Sequence, residues 1–377
     1  MQNRQLLCLT VAACPPHTDQ SNYHLLGRRM APVSIEIQEN KKMKLFYPKK
    51  KWKGIDIMKY FYTLIMFMAF FTAGCGSTDN QTLAFPEKTS IDLQGHRGAR
   101  GLFPENTIPA FKYAIEHKMT TLELDTNLTK DGNLIVYHDS IINSDLCLDS
   151  KGNPAQSIRI LEMTLEDLKK LDCGSLANEK FPEQTPVPGT KLISLPEFFD
   201  FVKQYEADHP DIPKLRFNVE TKFESKPDQE YLEKFADTMV KFIEDADVVD
   251  RTTVQSFVLE VLPMIKKRNP KLKTSALFEP SYVQGFLMMI GLNSIRTKII
   301  EKAEKAEADI ISPYHLYANL FFIQTCHQKD MRVIPWTVNK KKKIVTLLNN
   351  GVDGIISDYP NQLFNIYQEW FVSKQKE

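Results

Sequence analysis

From Ile91 to its C-terminus, this chain alternates short apolar or β-branched runs with segments of helical period. Such alternation predicts a parallel sheet wrapped by helices. The nine strand segments are residues 91–96, 120–126, 134–139, 215–221, 252–257, 274–278, 309–313, 333–338 and 353–358. The helical segments are residues 106–118, 164–172, 194–205, 229–246, 259–269, 284–308, 318–329, 340–350 and 361–371. We therefore expect an α/β fold, a TIM-type (β/α)8 barrel, with the surplus strand as a hairpin partner or a peripheral strand.

The longest interruption of this alternation covers residues 140–192. It holds turn-forming residues and a short helical stretch, TLEDLKKL, and it follows the third strand segment. We interpret it as an insertion at the mouth of the barrel, where loops usually select the substrate.

An export signal precedes the barrel. Met58 and Lys59 are followed by the apolar run YFYTLIMFMAFF and by small residues before Cys75. The apolar run is short for a membrane span, and this order is typical of a signal peptide. We interpret residues 58–74 as a signal peptide of lipoprotein type and Cys75 as the lipidated residue; an uncleaved signal anchor is the alternative.

The remaining boundaries follow from this signal. Residues 1–57 lack sustained periodicity and precede Met58, itself a credible start, so we expect them to be unstructured or an over-extended reading frame. Residues 75–90 are polar and read as a linker, and residues 91–371 form the barrel domain. The expected location is the cell envelope, with the protein lipid-anchored to a membrane and facing the periplasm; inner and outer membrane stay open.

Charge and cysteine usage narrow the function classes. Residues 1–74 carry 11 Lys and Arg against 4 Asp and Glu, and the rest of the chain carries 37 against 43. An acidic body gives no reason to expect a nucleic-acid partner. The spacing of Cys147, Cys173 and Cys326 matches neither a metal site nor a redox pair. We expect ordinary buried thiols, with one bridge and a free partner as the alternative.

Polar residues gather at the predicted C-terminal ends of the strands, where barrel enzymes place their active sites. They are His96, Arg97, Glu123, Asp125, His138, Glu220, Lys222 and, on a later strand, Trp336, which we expect to line the pocket. Each of these residues alone could have a purely structural role. Complementary groups at four successive strand ends are improbable without a common function, so together they indicate an active site.

The carboxylates predict a metal site. Glu123 and Asp125 are two residues apart on a strand, so both leave the same face and can hold one cation, with Glu220 as a third ligand. Carboxylate oxygens favour Ca²⁺ or Mg²⁺. The pair Asp131-Gly132 predicts a tight turn, which would place Asp125 opposite His138.

These groups suit a phosphodiester. A cation, Arg97 and Lys222 would neutralise the non-bridging oxygens, and His96 and His138 would act as general acid and base near neutral pH. The sequence does not decide which histidine is the acid.

Long motifs carry a resemblance. GHRGARGLFPENTIPAF, LELDTNLTKDGNLIVYHD, NVETK, VQSF, PWTVN and GVDGIISDYP resemble the glycerophosphodiester phosphodiesterase family, within the phospholipase C-like phosphodiesterase barrels, over residues 91–361. The resemblance implies hydrolysis of deacylated phospholipids to sn-glycerol 3-phosphate and an alcohol. It assigns His96 and His138 to acid–base catalysis, and Arg97 and Lys222 to phosphate contacts. It assigns Glu123, Asp125 and Glu220 to the metal, with Glu105 as support; Asn106 is expected to cap the following helix.

Two other functions stay open. A phospholipase C- or D-like enzyme acting on intact lipids would need an exposed apolar mouth, for which YVQGFLMMIGL at 282–292 is a candidate; a packing or dimer helix explains the same stretch. A non-catalytic envelope lipoprotein is the second alternative. The preferred head group, the native metal and the oligomeric state are not readable from the sequence.

Overall fold

The computed structural model describes residues 91–376, apart from 225–226, 290 and 292. The expectations for residues 1–90, including the signal peptide, Cys75 and the linker, lie outside the described residues. Within the described part, no helix has both the length and the apolar character that a membrane crossing requires.

Eight parallel strands form the barrel. With the antiparallel hairpin strand β3, nine strands are described: β1 Asp92–Gly95, β2 Thr121–Leu128, β3 Leu134–Val136, β4 Arg216–Thr221, β5 Thr252–Ser256, β6 Lys273–Phe278, β7 Ile310–Pro313, β8 Arg332–Val333 and β9 Gly354–Ser357. They pair in the order β8-β7-β6-β5-β4-β2-β1-β9, and β3 pairs only with β2. The Asp353 amide donates to the Val333 carbonyl at 2.9 Å and the Ile356 amide to the Pro335 carbonyl at 3.1 Å, which joins β9 to the β8 segment. The predicted (β/α)8 barrel is confirmed, and the surplus strand is β3.

The β2–β3 hairpin differs from the prediction by one residue. Thr126 lies opposite Val136, and the Tyr137 amide bonds to the Asp125 carbonyl at 3.0 Å, so Asp125 faces Tyr137 instead of His138. The loop contains three residues, 130–132, closed by a bond from the Thr129 amide to the Asn133 carbonyl, with Gly132 at a φ of +77°. A three-residue loop with a left-handed glycine shifts the register by one residue relative to a two-residue turn, so the predicted pairing was wrong.

Ten helices are described. They are α1 Ile108–Glu116, α2 Leu165–Leu168, α3 Leu195–Asp208, α4 Gln229–Asp245, α5 Val261–Arg268, α6 Tyr282–Met289, α7 Ser294–Lys305, α8 Leu320–His327, α9 Lys341–Asn349 and α10 Pro360–Lys374. The helix predicted over 284–308 is two helices, because Gly291 between them has a φ of +90° that no α-helix accommodates.

Apolar helix faces pack against the strands and form the main core. In α3, for example, Ser194 and Glu197 form a capping box that fixes where the helix begins. Its buried Phe198 and Phe199 then make edge contacts with Phe217 of β4, at 5.5 and 5.2 Å between ring centroids. Burying one such side chain contributes roughly 1.5–3 kcal/mol, and this packing holds β4 and its polar C-terminal end in place.

The insertion has a small core of its own. Ile142, Ile160 and Leu168 are buried in it together with a disulfide between Cys147 and Cys173, while Cys326 is a buried free thiol. The expectation of three ordinary thiols was therefore wrong for Cys147 and Cys173, and one bridge with a free partner is what forms. An insertion with so few apolar residues cannot bury much surface, which is the situation in which a covalent staple helps most.

We predict that the Cys147→Ser/Cys173→Ser double variant loses about 3 kcal/mol of unfolding free energy, because the disulfide closes a loop with a sequence separation of 26 residues. Urea unfolding of residues 76–377 measures the loss, and dithiothreitol should produce the same loss in the wild type. Thiol titration of the denatured wild type should find one free thiol; three would show that the bridge does not form.

Candidate active site

The C-terminal ends of the strands surround a pocket of about 190 Å³. Every strand-end residue expected there contributes to it except Asp125, which lies just beneath in full burial. The lining residues are His96, Arg97, Arg100, Glu123, His138, Glu220, Lys222, Gln255, Phe257, Leu277, Glu279, Trp336, Thr337 and Ile356.

Three carboxylates form a cluster at the floor of this pocket. Glu123 and Asp125 leave the same face of β2, and the parallel register places Glu220 of β4 beside Asp125. One oxygen of each lies within 4.8 Å of the others, and all three side chains are buried. The Arg97 amide donates to Glu123 Oε2 at 2.8 Å and Gln255 Nε2 to Glu123 Oε1 at 2.9 Å, which fixes the orientation of Glu123.

The three buried carboxylates repel one another, and a bound cation would neutralise their charge. Burial and the neighbouring charges of Asp125 and Glu220 raise the pKa of Glu123 well above its usual range. Burial acts in the same direction on Asp125, but Lys222 and Arg97 outweigh it and hold the pKa of Asp125 low. Among the described residues, the partner of the buried Oδ1 atom of Asp125 is the Lys222 ammonium, an ion pair at 3.1 Å without hydrogen-bond geometry. Hard carboxylate oxygens at this spacing fit a divalent cation such as Mg²⁺ or Ca²⁺.

Arg97 and Lys222 flank the cluster and line the pocket. Arg97 Nη1 donates to Glu105 Oε1 at 2.7 Å, and Arg97 Nε lies 3.2 Å from Asp125 Oδ2. Lys222 Nζ bonds to Glu220 and lies 3.1 Å from Asp125 Oδ1. Glu105 therefore orients Arg97 and does not join the three-carboxylate cluster. The positively charged side chains of Arg97 and Lys222 therefore offset the negative charge of the three carboxylates and also line the pocket.

The loop after β1 explains why its motif contains glycine and asparagine. Gly98 has a φ of +80°, and a Cβ there would lie 2.7 Å from the Ala110 carbonyl carbon. Asn106, at a φ of +59°, donates from Nδ2 to Asp125 Oδ2 at 2.9 Å. Asn106 was expected to cap α1, but the N-cap residue is Thr107, without a side-chain cap. Asn106 holds a carboxylate of the cluster instead.

The side chain of His96 is held by the carboxylate of Asp358, a residue that was not among the predicted site residues. Its Nδ1–H donates to Asp358 Oδ1 at 2.6 Å, and Asp358 also accepts from Arg100 Nε at 2.9 Å and Asn339 Nδ2 at 2.7 Å. Burial, and then the charge of Arg100, lower the pKa of His96 to about 4. His96 is therefore neutral at pH 7, with Nε2 free of a proton, as a general base requires.

His138 has a similar partner but a different setting. Its Nδ1–H donates to Asp139 Oδ1 at 2.6 Å, and its side chain is 32% exposed, against 10% for His96. Although β3 ends at Val136 and the hairpin register differs from the prediction, the ring faces the pocket. The two imidazoles thus enter one pocket from different elements.

An apolar wall completes the pocket. Trp336 donates from Nε1 to the Ser312 carbonyl at 2.8 Å, which anchors the indole to β7. Phe257 and Tyr314 meet it edge-on, at 5.5 and 5.8 Å between ring centroids. Such a wall suits the carbon skeleton of a small substrate.

Three groups near the pocket were not anticipated: Asp358, Gln255 and Arg100. Asp358 and Gln255 belong to the quoted motifs GVDGIISDYP and VQSF, so those motifs already contained the signal for them. Both follow the rule that a polar residue at a parallel strand end deserves inspection. Arg100 belongs to the quoted motif GHRGARGLFPENTIPAF as well, but it lies five residues beyond the end of β1, so the strand-end rule does not point to it.

Comparisons with known proteins agree with this geometry. Residues 96–362 match the model of the glycerophosphoryl diester phosphodiesterase family. The glycerophosphodiester phosphodiesterase of Bacillus altitudinis is 30% identical over 277 residues, which cover 73% of this chain and 97% of that protein. The enzyme of the same name from Caldanaerobacter subterraneus subsp. tengcongensis is 29% identical over 274 residues, covering 73% and 96%. The matched region accounts for nearly the whole length of both relatives, so the barrel corresponds to a complete protein in each.

Solved structures share the fold. A candidate glycerophosphoryl diester phosphodiesterase from Silicibacter pomeroyi is 25% identical, has a TM-score of 0.66 and covers 76% of this chain and 95% of its own. A phosphodiesterase from Oleispira antarctica, in complex with the product sn-glycerol-3-phosphate, is 20% identical with a TM-score of 0.56, covering 75% and 97%. The second likeness concerns the fold alone.

We predict that Mg²⁺ or Ca²⁺ raises the melting temperature of residues 76–377 by about 5 °C at saturation, because a ligand bound only to the folded state stabilises it. The rise should be smaller at pH 5.5 than at pH 8, since the raised pKa of Glu123 makes protons compete with the cation. Calorimetric melting measures both effects, and Glu123→Gln should abolish the response. An equal rise in the Glu123→Gln protein would place the cation elsewhere.

Proposed function

The chain belongs to the glycerophosphoryl diester phosphodiesterase family, and from that premise we propose that it hydrolyses glycerophosphodiesters to sn-glycerol 3-phosphate and an alcohol. The observation that carries the proposal is the shared pocket: a carboxylate cluster that fits a divalent cation, two cationic side chains and two carboxylate-bound imidazoles. The relatives from Bacillus altitudinis and Caldanaerobacter are glycerophosphodiester phosphodiesterases, which supports the same substrate class.

Phosphate binding falls to the floor of the pocket. Glu123, Asp125 and Glu220 would hold the cation, which when bound supplies charge neutralisation for the non-bridging phosphate oxygens. Arg97 and Lys222 reach the same space and add two fixed positive charges. In a pocket largely shielded from water, such preorganised charges stabilise a phosphoryl transition state more than they would in solution.

Proton transfer divides between the two histidines. His96 Nε2, kept unprotonated because Nδ1–H is bound to Asp358, takes the proton of the attacking hydroxyl as its oxygen bonds to phosphorus. His138 gives a proton to the alcohol oxygen as its bond to phosphorus breaks. If the attacking group is the glycerol hydroxyl next to the phosphate, a cyclic phosphate forms, and water opens it with the two roles reversed.

The protein would work outside the cytoplasm. The predicted lipoprotein signal at 58–74 and Cys75 support export and lipid anchoring in the cell envelope. The disulfide between Cys147 and Cys173 supports the same location, because such bonds persist in oxidising compartments and are rare in reducing ones. Deacylated phospholipids are released at membranes, so an anchored enzyme would stand close to its substrate.

We predict that Asp358→Asn lowers kcat by about 10²-fold or more and leaves KM within a few-fold. The substitution removes the carboxylate that fixes the tautomer of His96 and leaves Arg97 and Lys222, the proposed phosphate contacts, in place. Steady-state kinetics with glycerophosphocholine measure both constants. A matched control is Asp131→Asn, since Asp131 lies in the β2–β3 turn and does not line the pocket. A raised KM with normal kcat would show that Asp358 serves binding instead.

The direct test follows glycerol 3-phosphate release by residues 76–377 from glycerophosphocholine and glycerophosphoethanolamine, with EDTA or with added Ca²⁺ or Mg²⁺. We expect cation-dependent release that falls by about 10²- to 10⁴-fold in His138→Ala. His209→Ala is the matched control, because His209 is exposed at the end of α3 and bonds only to its own helix.

No release by a folded, cation-loaded protein would contradict the proposal. Cleavage of intact phospholipids instead would favour the phospholipase alternative. The observation in favour of that alternative is the group of exposed apolar side chains on α6. Inertness toward both substrate classes would favour a binding lipoprotein.

A further inference from the structure

One side of the barrel mouth exposes large apolar side chains. On α6, Tyr282, Val283 and Phe286 are 101%, 67% and 62% exposed. On α8, Leu320 and Phe321 are 43% and 42% exposed. Single exposed apolar residues are ordinary, but a group on adjacent elements indicates an interaction surface.

These residues lie on the face that holds the active site. Helix α6 directly follows the C-terminal end of β6, and α8 follows the C-terminal end of β7. Helix α7 contacts both α6 and α8, and the guanidinium of its Arg296 donates to the Tyr317 and Leu316 carbonyls, just before α8, at 2.9 and 3.1 Å. The exposed apolar group therefore sits beside the pocket opening and not on the outer wall of the barrel.

Positive charge borders this apolar group. Lysines 340–343 begin α9, just after the pocket residues Trp336 and Thr337. The repulsion of Lys343 and Lys340 adds to burial in lowering the pKa of His315, and burial and Arg296 lower the pKa of Lys343. The His315 amide bonds to the Trp336 carbonyl at 2.9 Å, four residues before Lys340, so Lys340 and Lys343 lie on the same side of the mouth as His315.

Negative charge is missing from the same stretches of sequence. Residues 280–300, 310–329 and 331–352 contain neither Asp nor Glu, in a body where 43 acidic residues outnumber 37 basic ones. The acidic residue nearest to α6 is Glu279, which lines the pocket. Four lysines at the N-terminal end of a helix also oppose its dipole, so they do not stabilise α9. Lys341 pairs with Glu369, and Lys340 and Lys342 are exposed at the start of the helix.

We propose that this mouth rim, formed by Tyr282, Val283, Phe286, Leu320, Phe321 and lysines 340–343, docks on a lipid bilayer that contains anionic lipids. Aromatic and aliphatic side chains enter the boundary between head groups and acyl chains, and the lysines contact lipid phosphates. A second copy of the chain fits less well, because a symmetric contact would bring two lysine clusters together. Docking does not depend on the proposed hydrolysis; it concerns how the mouth meets the membrane.

The test is vesicle co-sedimentation of residues 76–377, which contain the whole barrel, the part that corresponds to a complete protein in the relatives, and lack the predicted lipid anchor. The probes are vesicles of phosphatidylcholine alone and vesicles with about one third phosphatidylglycerol. We expect binding to the anionic vesicles that weakens with salt. Tyr282→Ser/Val283→Ser/Phe286→Ser should reduce the partition coefficient by about tenfold or more, and Lys340→Gln/Lys342→Gln should remove the preference for anionic vesicles. Lys341 is spared because it pairs with Glu369 at 2.6 Å.

The matched control is Phe371→Ser/Val372→Ser. These residues are 41% and 49% exposed near the end of α10, the end remote from the mouth, so their replacement should leave vesicle binding unchanged. Thermal melting confirms that each variant is folded. Absence of vesicle binding, or equal losses in the α6 variant and the α10 control, would overturn the proposal. So would a dimer, seen by light scattering, that the α6 variant dissociates while vesicle binding is absent.

Discussion

The site depends on keeping three carboxylates together in a buried place. Separately, Glu123, Asp125 and Glu220 would each be expensive to bury as anions, and their mutual repulsion adds to that cost. The surrounding residues answer this cost: Arg97 and Lys222 supply positive charge, Asn106 and Gln255 supply N–H donors, and the Arg97 amide donates directly to Glu123. The left-handed loop after β1, which needs Gly98, exists in the shape that brings this amide to the cluster.

The parallel register converts this local balance into a pocket. Since β2 and β4 pair with Asp125 opposite Glu220, the cluster is fixed by backbone hydrogen bonds deep in the barrel rather than by mobile loops. The insertion then reaches over the loop after β1: Gln184 donates to the Arg100 carbonyl at 2.7 Å, and Phe181 lies 4.7 Å from the Arg100 guanidinium. Arg100 in turn binds Asp358, which holds His96. A disulfide-stapled segment thus contacts the residues that position a histidine in the pocket.

The barrel could be predicted from the sequence, because the alternation of strand and helix periods extends over long segments and stays recognisable when a single element boundary is misplaced. The residues of the pocket could be predicted as well, because parallel strands must end at one face. Two predictions were wrong because a single residue determines the local structure. Gly132 allows a three-residue turn, which shifts the register of the β2–β3 hairpin, and Gly291 divides the helix predicted over 284–308. Contacts between distant parts of the chain escaped as well. His96 and Asp358 are 262 residues apart, and the Cys147–Cys173 bridge depends on how the insertion folds back.

The mouth of this barrel is divided by chemistry. Strands β2 and β4 carry the carboxylates, and the segments that follow β1, β3 and β4 carry the histidines and the two cationic side chains. The insertion contacts the segment after β1. The loops after β6, β7 and β8 carry aromatic rings, aliphatic side chains and lysines, without acidic residues over 280–300, 310–329 and 331–352. Burial of charge needs dense hydrogen bonding and a rigid frame, whereas contact with a soft surface needs exposed side chains on short helices. Because a barrel supplies eight independent loops to one face, this chain can meet both demands at the same end of the barrel.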